Sequence, residues 1–132
     1  MIVVDTSIVV AIMRSEPERA AFEDVLDDAP AAIMSVVSYV ETHMVIAGRR
    51  SDASFRRAEH WFEVLGIEIV PVTPEQGVLA VAAFLHYGKG RHPAALNLSD
   101  CFAYALAKHR GAPLFFKGND FLQTDIVPAW RP

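Results

Sequence analysis

The sequence predicts an α/β domain in three layers, a mostly parallel central sheet flanked by helices. Two observations carry this. Short runs rich in β-branched or aromatic residues, at 2–4, 31–34, 67–70 and 113–116, alternate with longer stretches of helical period. Most of those stretches also open on cap residues or close on glycine, so strand follows helix without an intervening linker. Strands separated by helices pair in parallel, and both sheet faces are then covered.

Taken in order, Ile2, Val3 and Val4 form the first strand, and Thr6 or Ser7 caps a short helix over residues 8–13. Ser15, Glu16, Pro17 and Glu18 combine a Ser cap, an early Pro and a later acid, predicting a helix that reaches about Asp27. Residues 31–34 are the second strand, and Ser35 caps a helix that Gly48 stops. Residues 52–65 place Phe55, Ala58, Phe62 and Leu65 on one side of a fourth helix. After a strand at 67–70, Thr73 to Gln76 reads as a capping box with Pro74 at the first helical position, opening a helix that ends by Gly88. A Gly-containing loop then leads to a helix from Ser99 to Arg110, stopped by Gly111. Residues 113–116 are the last strand, with a short helical turn near Phe121.

At 132 residues the chain is expected to be a single domain with a sizeable core. An apolar fraction of 52% and a charged fraction of 21% argue against disorder. The lone Cys101 excludes an intramolecular disulfide and reads as a core thiol. Residues 1–13 lack a basic leader and are interrupted by Asp5, and no apolar run reaches membrane-spanning length. The expectation is a soluble, cytoplasmic domain with no membrane partner. A net charge of −4 argues weakly against nucleic acid, but the positive charge is grouped. Arg49, Arg50, Arg56 and Arg57 bracket one polar stretch, and Lys89, Arg91 and His92 share the loop after Gly88. Trp61, Trp130 and most of the phenylalanines read as packing residues rather than stacking platforms.

Four acids stand beside residues that favour burial: Asp5 after the first strand, Glu41 in the third helix, Asp100 at the start of the helix after the loop, and Asp120 after the last strand. An unpaired buried charge is expensive, so four of them point to a cation. Ligands of parallel sheets sit at the carboxyl ends of the strands, and right-handed crossovers can bring all four acids to that edge. Each also has a structural reading. Asp5 can cap a helix, Asp100 can complement a helix N-terminus, and Asp120 can be a turn residue. Glu41, flanked on its helix by Val37, Ser38, Met44 and Val45, is the hardest to explain that way. Oxygen donors without a Cys or His cluster favour Mg²⁺ or Mn²⁺ over zinc. Such ions suit phosphodiester hydrolysis, because they activate water and offset charge on the leaving oxygen.

These residues resemble the PIN-domain nucleases, and specifically the VapC-type toxins of bacterial toxin–antitoxin pairs. The likeness runs over essentially the whole chain. It is carried by residues 1–7 (MIVVDTS), by residues 87–105 (YGKGRHPAALNLSDCFAYA), and by Phe116 to Phe121 with Thr124, Asp125 and Ile126. The resemblance implies a PIN-like fold and a Mg²⁺-dependent endoribonuclease, with Mn²⁺ as a substitute metal. Asp5, Glu41, Asp100 and Asp120 match the family's acidic quartet, with Asp5 and Asp100 the first-choice ligands and Asp125 competing for the last place. Thr6 or Ser7 matches the hydroxyls that support the metal and its waters. The resemblance also implies a homodimer and a small antitoxin whose tail inserts an Arg toward the carboxylates. Ser99 departs from the family, which commonly has Gly before the third acid, and is expected to cap that helix.

Lys89, Arg91, His92 and Lys117 are the candidate RNA contacts, with Gly88 and Gly90 allowing close backbone approach. Two other classes compete. A catalytically silent PIN-like module would keep the fold for a protein partner. A phosphoacceptor receiver domain would share the acidic pocket and a late-strand Lys, but needs an acidic pair after the first strand and an Asp after a central one. Here Asp5 precedes Thr6 and Ser7, and no Asp follows residues 67–70.

Overall fold

The structure is a computed structural model that describes residues 1–47 and 52–132. The elements run β1 (Ile2–Val4), α1 (Thr6–Met13), α2 (Arg19–Asp28), β2 (Ala32–Ser35), α3 (Val36–Ala47), α4 (Asp52–Val64), β3 (Ile67–Val70), α5 (Pro74–Tyr87), α6 (Leu98–Arg110) and β4 (Leu114–Phe115), followed by a 3-10 turn at Phe121–Gln123. The four strands form one parallel sheet in the order β3-β2-β1-β4. The chain therefore steps outward from β1 through β2 to β3, then returns past β1 to lay β4 on the other side. That reversal leaves a crevice at the carboxyl ends of β1 and β4.

The predicted order of elements is the observed one, with shifts at the ends that have local causes. Asp5, not Thr6 or Ser7, caps α1: its side chain accepts the Ser7 N–H, and the helix begins at Thr6. The helix predicted from Ser15 starts only at Arg19, because Ser15 takes a positive φ of 51° and its hydroxyl accepts from Arg19 instead of capping. Ser35 caps α3 as predicted, accepting from Val37 N at 3.2 Å. Gly48, expected to stop that helix, lies outside the described residues, as do Arg49 and Arg50. Thr73 caps α5 by accepting from Gln76 N. The reciprocal capping box is found instead on α6. There Asn97 Oδ1 accepts from Asp100 N at 2.9 Å and Asp100 Oδ2 accepts from Asn97 N at 3.0 Å, so Asn97 rather than Ser99 is the cap. Gly111 ends α6 in the left-handed region at φ 60°, where a side chain would be strained.

Alternation along the strands splits the core between the two sheet faces. Val3, Ile33 and Leu114 face α5 and α6, joining Ala80, Ala83, Ala103, Leu106 and Phe116. Val4, Met34 and Phe115 face α1, α2 and α4, joining Ile8, Ile12, Phe22 and Phe62. Phe22, fully buried, meets Phe115 edge-on at 5.3 Å and Trp130 at 4.9 Å, so Trp130 packs as expected. Trp61 is partly buried in the same cluster with the Arg19 guanidinium 4.8 Å from its ring. Phe55, predicted to lie on the packed side of α4, is half exposed and instead stacks on His43 of α3 at 4.6 Å. Cys101 is buried in the first cluster, as a core thiol should be. No helix among the described residues is long and apolar enough to cross a membrane.

Candidate active site

The crevice past β1 and β4 is a cavity of about 290 Å³ lined by Asp5, Thr6, Ser7, Val10, Glu41, Val45, Asp100, Lys117, Asp120 and Phe121. All four predicted acids therefore reach one place, although 115 positions of sequence separate the first from the last. Each arrives by its own route. Asp5 is the first residue beyond β1 and is fixed by its N–H bond to Phe115 O at 2.9 Å. Glu41 projects from α3, Asp100 is the third residue of α6, and Asp120 follows the Gly118 turn after β4.

Their environments differ. Asp5 is buried, Glu41 and Asp100 are partly buried, and Asp120 is exposed. The burial argument made from sequence thus holds for Asp5 and fails for Asp120, which lies on the cavity rim. Met44 and Val45, the apolar neighbours of Glu41, are also exposed. Ser7 Oγ donates to Asp5 Oδ2 at 2.6 Å and itself accepts from the Lys117 backbone N–H at 3.0 Å. Asp5 Oδ1, by contrast, is buried without a hydrogen-bond partner among the described residues. Burial raises the Asp5 carboxyl above its ordinary range, and Glu41 adds to the rise against the opposing Ser7 hydrogen bonds. Asp100 is pushed up to about 7, first by burial and then by the charges of Asp5, Glu41 and Asp120, against the Asn97 hydrogen bond that lowers it. Burial first, and the neighbouring negative charges second, therefore favour the protonated form of Asp100.

Those features fit a hard cation. The donors are all carboxylate or hydroxyl oxygens, one buried carboxylate oxygen lacks a partner, and the raised carboxyls are ones that a positive charge would return to their ionised form. Among the described residues no three acid, His or Cys side chains are drawn together as a ready-made metal-binding group. Mg²⁺, which keeps several of its waters and takes only one or two carboxylates, suits acids that line a cavity in this way.

The remaining candidates divide. Thr6 lines the cavity, but its hydroxyl donates to Ser38 O at 3.0 Å and accepts from Thr42 at 3.2 Å, pinning α1 to α3. Lys117 also lines the cavity, yet its ammonium is paired with Glu16 and Glu18, both at 2.7 Å. Lys89, Arg91 and His92 lie in the loop after α5 and are not part of the cavity lining. Arg91 sits over the Phe84 ring at 5.3 Å, and His92 Nδ1 accepts from Ala94 N. Asp125 is held away from the site by Tyr104 Oη at 2.6 Å and Lys108 Nζ at 2.8 Å, so Asp120 is the fourth acid in the cavity. Sequence reasoning gave Ser99 only a capping role. Its hydroxyl instead donates to Glu41 Oε1 at 2.9 Å. A hydroxyl immediately before the third acid was the available signal.

The PIN domain family model matches residues 2–127. The chain belongs to the PIN-domain family. Ribonuclease VapC30 of Mycobacterium tuberculosis is 42% identical over 130 residues, covering 98% of this chain and 99% of its own. Ribonuclease VapC of Mycolicibacterium smegmatis is 43% identical over 125 residues, covering 95% and 97%. Among solved structures, the fold of this PIN domain is similar to VapC20 of M. tuberculosis, a Sarcin-Ricin loop cleaving toxin, with a TM-score of 0.78 at 17% identity and complete coverage of both chains. It is also similar to a chain of VapBC-1 from nontypeable Haemophilus influenzae, with a TM-score of 0.73 at 22% identity over 96% of each. Membership in this family, with no Asp after β3 and Lys117 paired to Glu16 and Glu18, disposes of the receiver-domain reading.

Proposed function

We propose that this PIN-domain chain is an endoribonuclease that hydrolyses RNA phosphodiester bonds with Mg²⁺, or Mn²⁺ in its place, as the toxin of a toxin–antitoxin pair. The observation that carries the reading is the convergence of Asp5, Glu41, Asp100 and Asp120 on one cavity where Asp5 Oδ1 is buried and unpartnered. The names of the VapC ribonuclease relatives support the activity. Solved neighbours that include a toxin–antitoxin complex from Klebsiella pneumoniae support a cognate antitoxin as partner. A homodimer is part of the same proposal.

Asp5 and Asp100 hold the ion, with Glu41 and Asp120 completing the site directly or through water. A bound divalent cation acidifies water and offsets the charge that develops on the phosphate. Ser7 fixes Asp5 by donating to Oδ2, while Oδ1 has no hydrogen-bond partner among the described residues and would be the oxygen available to a cation. The Asn97 cap fixes Asp100 in the same manner through its Oδ2. Asp120, exposed among the cavity-lining residues, would order water or accept a proton there. Lys117 supplies positive charge to a phosphate only after leaving Glu16 and Glu18, and Lys89, Arg91 and His92 contact RNA beyond the cavity.

The test is cleavage of total RNA by antitoxin-free protein in Mn²⁺, Mg²⁺ and EDTA, with Asp100→Asn alongside and cut ends mapped. Discrete metal-dependent cuts that vanish in the variant are expected. A folded, metal-binding protein that makes no cut in any RNA would leave the silent module as the better reading. Cuts that survive both EDTA and Asp100→Asn would remove the mechanism.

A further inference from the structure

We propose that Ser99 is a positioning residue for the metal site, acting through Glu41; this rests on the metal-dependent reading above. Glu41 is the loosest of the partly buried acids in its covalent attachment. Its carboxylate stands at the end of a side chain with three rotatable bonds on α3, and the neighbouring residues Met44 and Val45 are exposed and hold nothing in place. Among the described residues its one side-chain hydrogen bond is the 2.9 Å bond from Ser99 Oγ to Oε1, bridging 58 positions of sequence.

Ser99 is well placed to act as a fixed point. It is the second residue of α6, buried, between a cap and an acid that lock each other through the reciprocal Asn97–Asp100 bonds. The first turn of α6 is therefore held by its own cap, independently of Glu41. The same short segment then governs two acids: Asp100 directly through the capping box, and Glu41 through the Ser99 hydroxyl. One consequence is chemical. With Oε1 holding the Ser99 hydrogen bond and Oε2 without a side-chain hydrogen bond among the described residues, one orientation of the Glu41 carboxylate is favoured. Alanine at this position would leave the carboxylate free to sample other rotamers and to offer either oxygen. Groups that orient a ligand from behind typically change metal affinity or activity by about 10-fold or more when removed.

The experiment is Mn²⁺ titration calorimetry on the whole chain, comparing the parent with Ser99→Ala, Ser99→Thr, Glu41→Ala, the double variant and Asp100→Asn. Circular dichroism in EDTA checks that each is folded. The expected result is a loss of about 10-fold in Mn²⁺ affinity for Ser99→Ala and recovery in Ser99→Thr, which keeps the hydroxyl. The loss in Ser99→Ala stays no larger than that in Glu41→Ala, and the double variant matches Glu41→Ala, because Ser99 acts through that residue alone. In RNA cleavage, raising Mn²⁺ restores kcat in Ser99→Ala with KM for RNA unchanged. Parent-like Mn²⁺ binding by Ser99→Ala overturns the proposal, as does a double variant weaker than Glu41→Ala. Failure of the parent itself to bind Mn²⁺ removes the metal reading and this inference together, whereas parent binding lost in Asp100→Asn but unaltered in Ser99→Ala removes this inference alone.

Discussion

Ser7 Oγ lies 2.6 Å from Asp5 Oδ2 and accepts the backbone N–H of Lys117, tying the first acid of the chain to the strand end that precedes the last. This hydroxyl adds a side-chain tie between the ends of β1 and β4, which already pair in the sheet, and takes up one of the Asp5 oxygens. Ser7→Ala removes a bond to a buried carboxylate and leaves the Lys117 amide without its acceptor. The expected cost is about 1–3 kcal/mol in urea denaturation, together with weaker Mn²⁺ binding. Unchanged stability and unchanged binding would show that water replaces the hydroxyl.

Asp120 and Asp125 are five positions apart and predicted to behave oppositely. Asp125→Ala breaks the bonds to Tyr104 and Lys108, so it lowers stability by about 1–2 kcal/mol while RNA cleavage persists. Asp120→Asn leaves stability unchanged or raises it, because it removes a charge facing Asp100, and it weakens metal-dependent cleavage. Paired melting curves and cleavage rates decide between them.

The raised carboxyl of Asp100 sets a pH dependence whose sign is fixed. Its ordinary value is 3.8 and its folded value is about 7, so between those limits the folded state binds more protons than the unfolded state. Stability of the metal-free protein from this group is therefore fully present below 3.8 and is lost as pH rises through 7. Asp5, raised by burial, contributes in the same direction. Melting temperatures in EDTA should fall from pH 5 to pH 8 more steeply for the parent than for Asp100→Asn. Added Mn²⁺ should stabilise most at the alkaline end, where the carboxylates are already ionised.

Lys117 tests whether the pairing with Glu16 and Glu18 restrains a phosphate contact. These ion pairs are about one-third exposed and screened by solvent, so they contribute little to stability. Replacing both glutamates by Gln should cost little stability but free the ammonium, lowering KM for RNA at low salt. A KM that does not move means that Lys117 only closes the end of the cavity.

Cys101 should be inert. Burial, helped by the charge of Asp100, pushes its thiol up to about 11, so almost no thiolate exists at neutral pH. Labelling with a disulfide reagent at pH 8 should be slow in the native protein and complete in denaturant. Rapid native labelling would mean that α6 opens locally.

The sequence by itself determined the order of strands and helices, the parallel sheet and the four acids of the cavity. β-branched runs, caps and helical periods are local signals, and each is written within a few residues. The strand ends that carry Asp5 and Asp120 follow from that alternation, because a parallel sheet places every carboxyl end on one edge. Where local signals compete, the tertiary structure decided. Asn97 outcompetes Ser99 as a cap because it forms a reciprocal pair with Asp100, which frees Ser99 for Glu41. Asp125 and Asp120 are both turn acids, and only the packing of Tyr104 and Lys108 removes the former from the site. Thr6 and Ser7 are adjacent hydroxyls, but α1 directs one at Ser38 and the other at Asp5. The partners of Ser99 and Thr6 lie 58 and 32 positions away, and no local pattern encodes contacts over that distance.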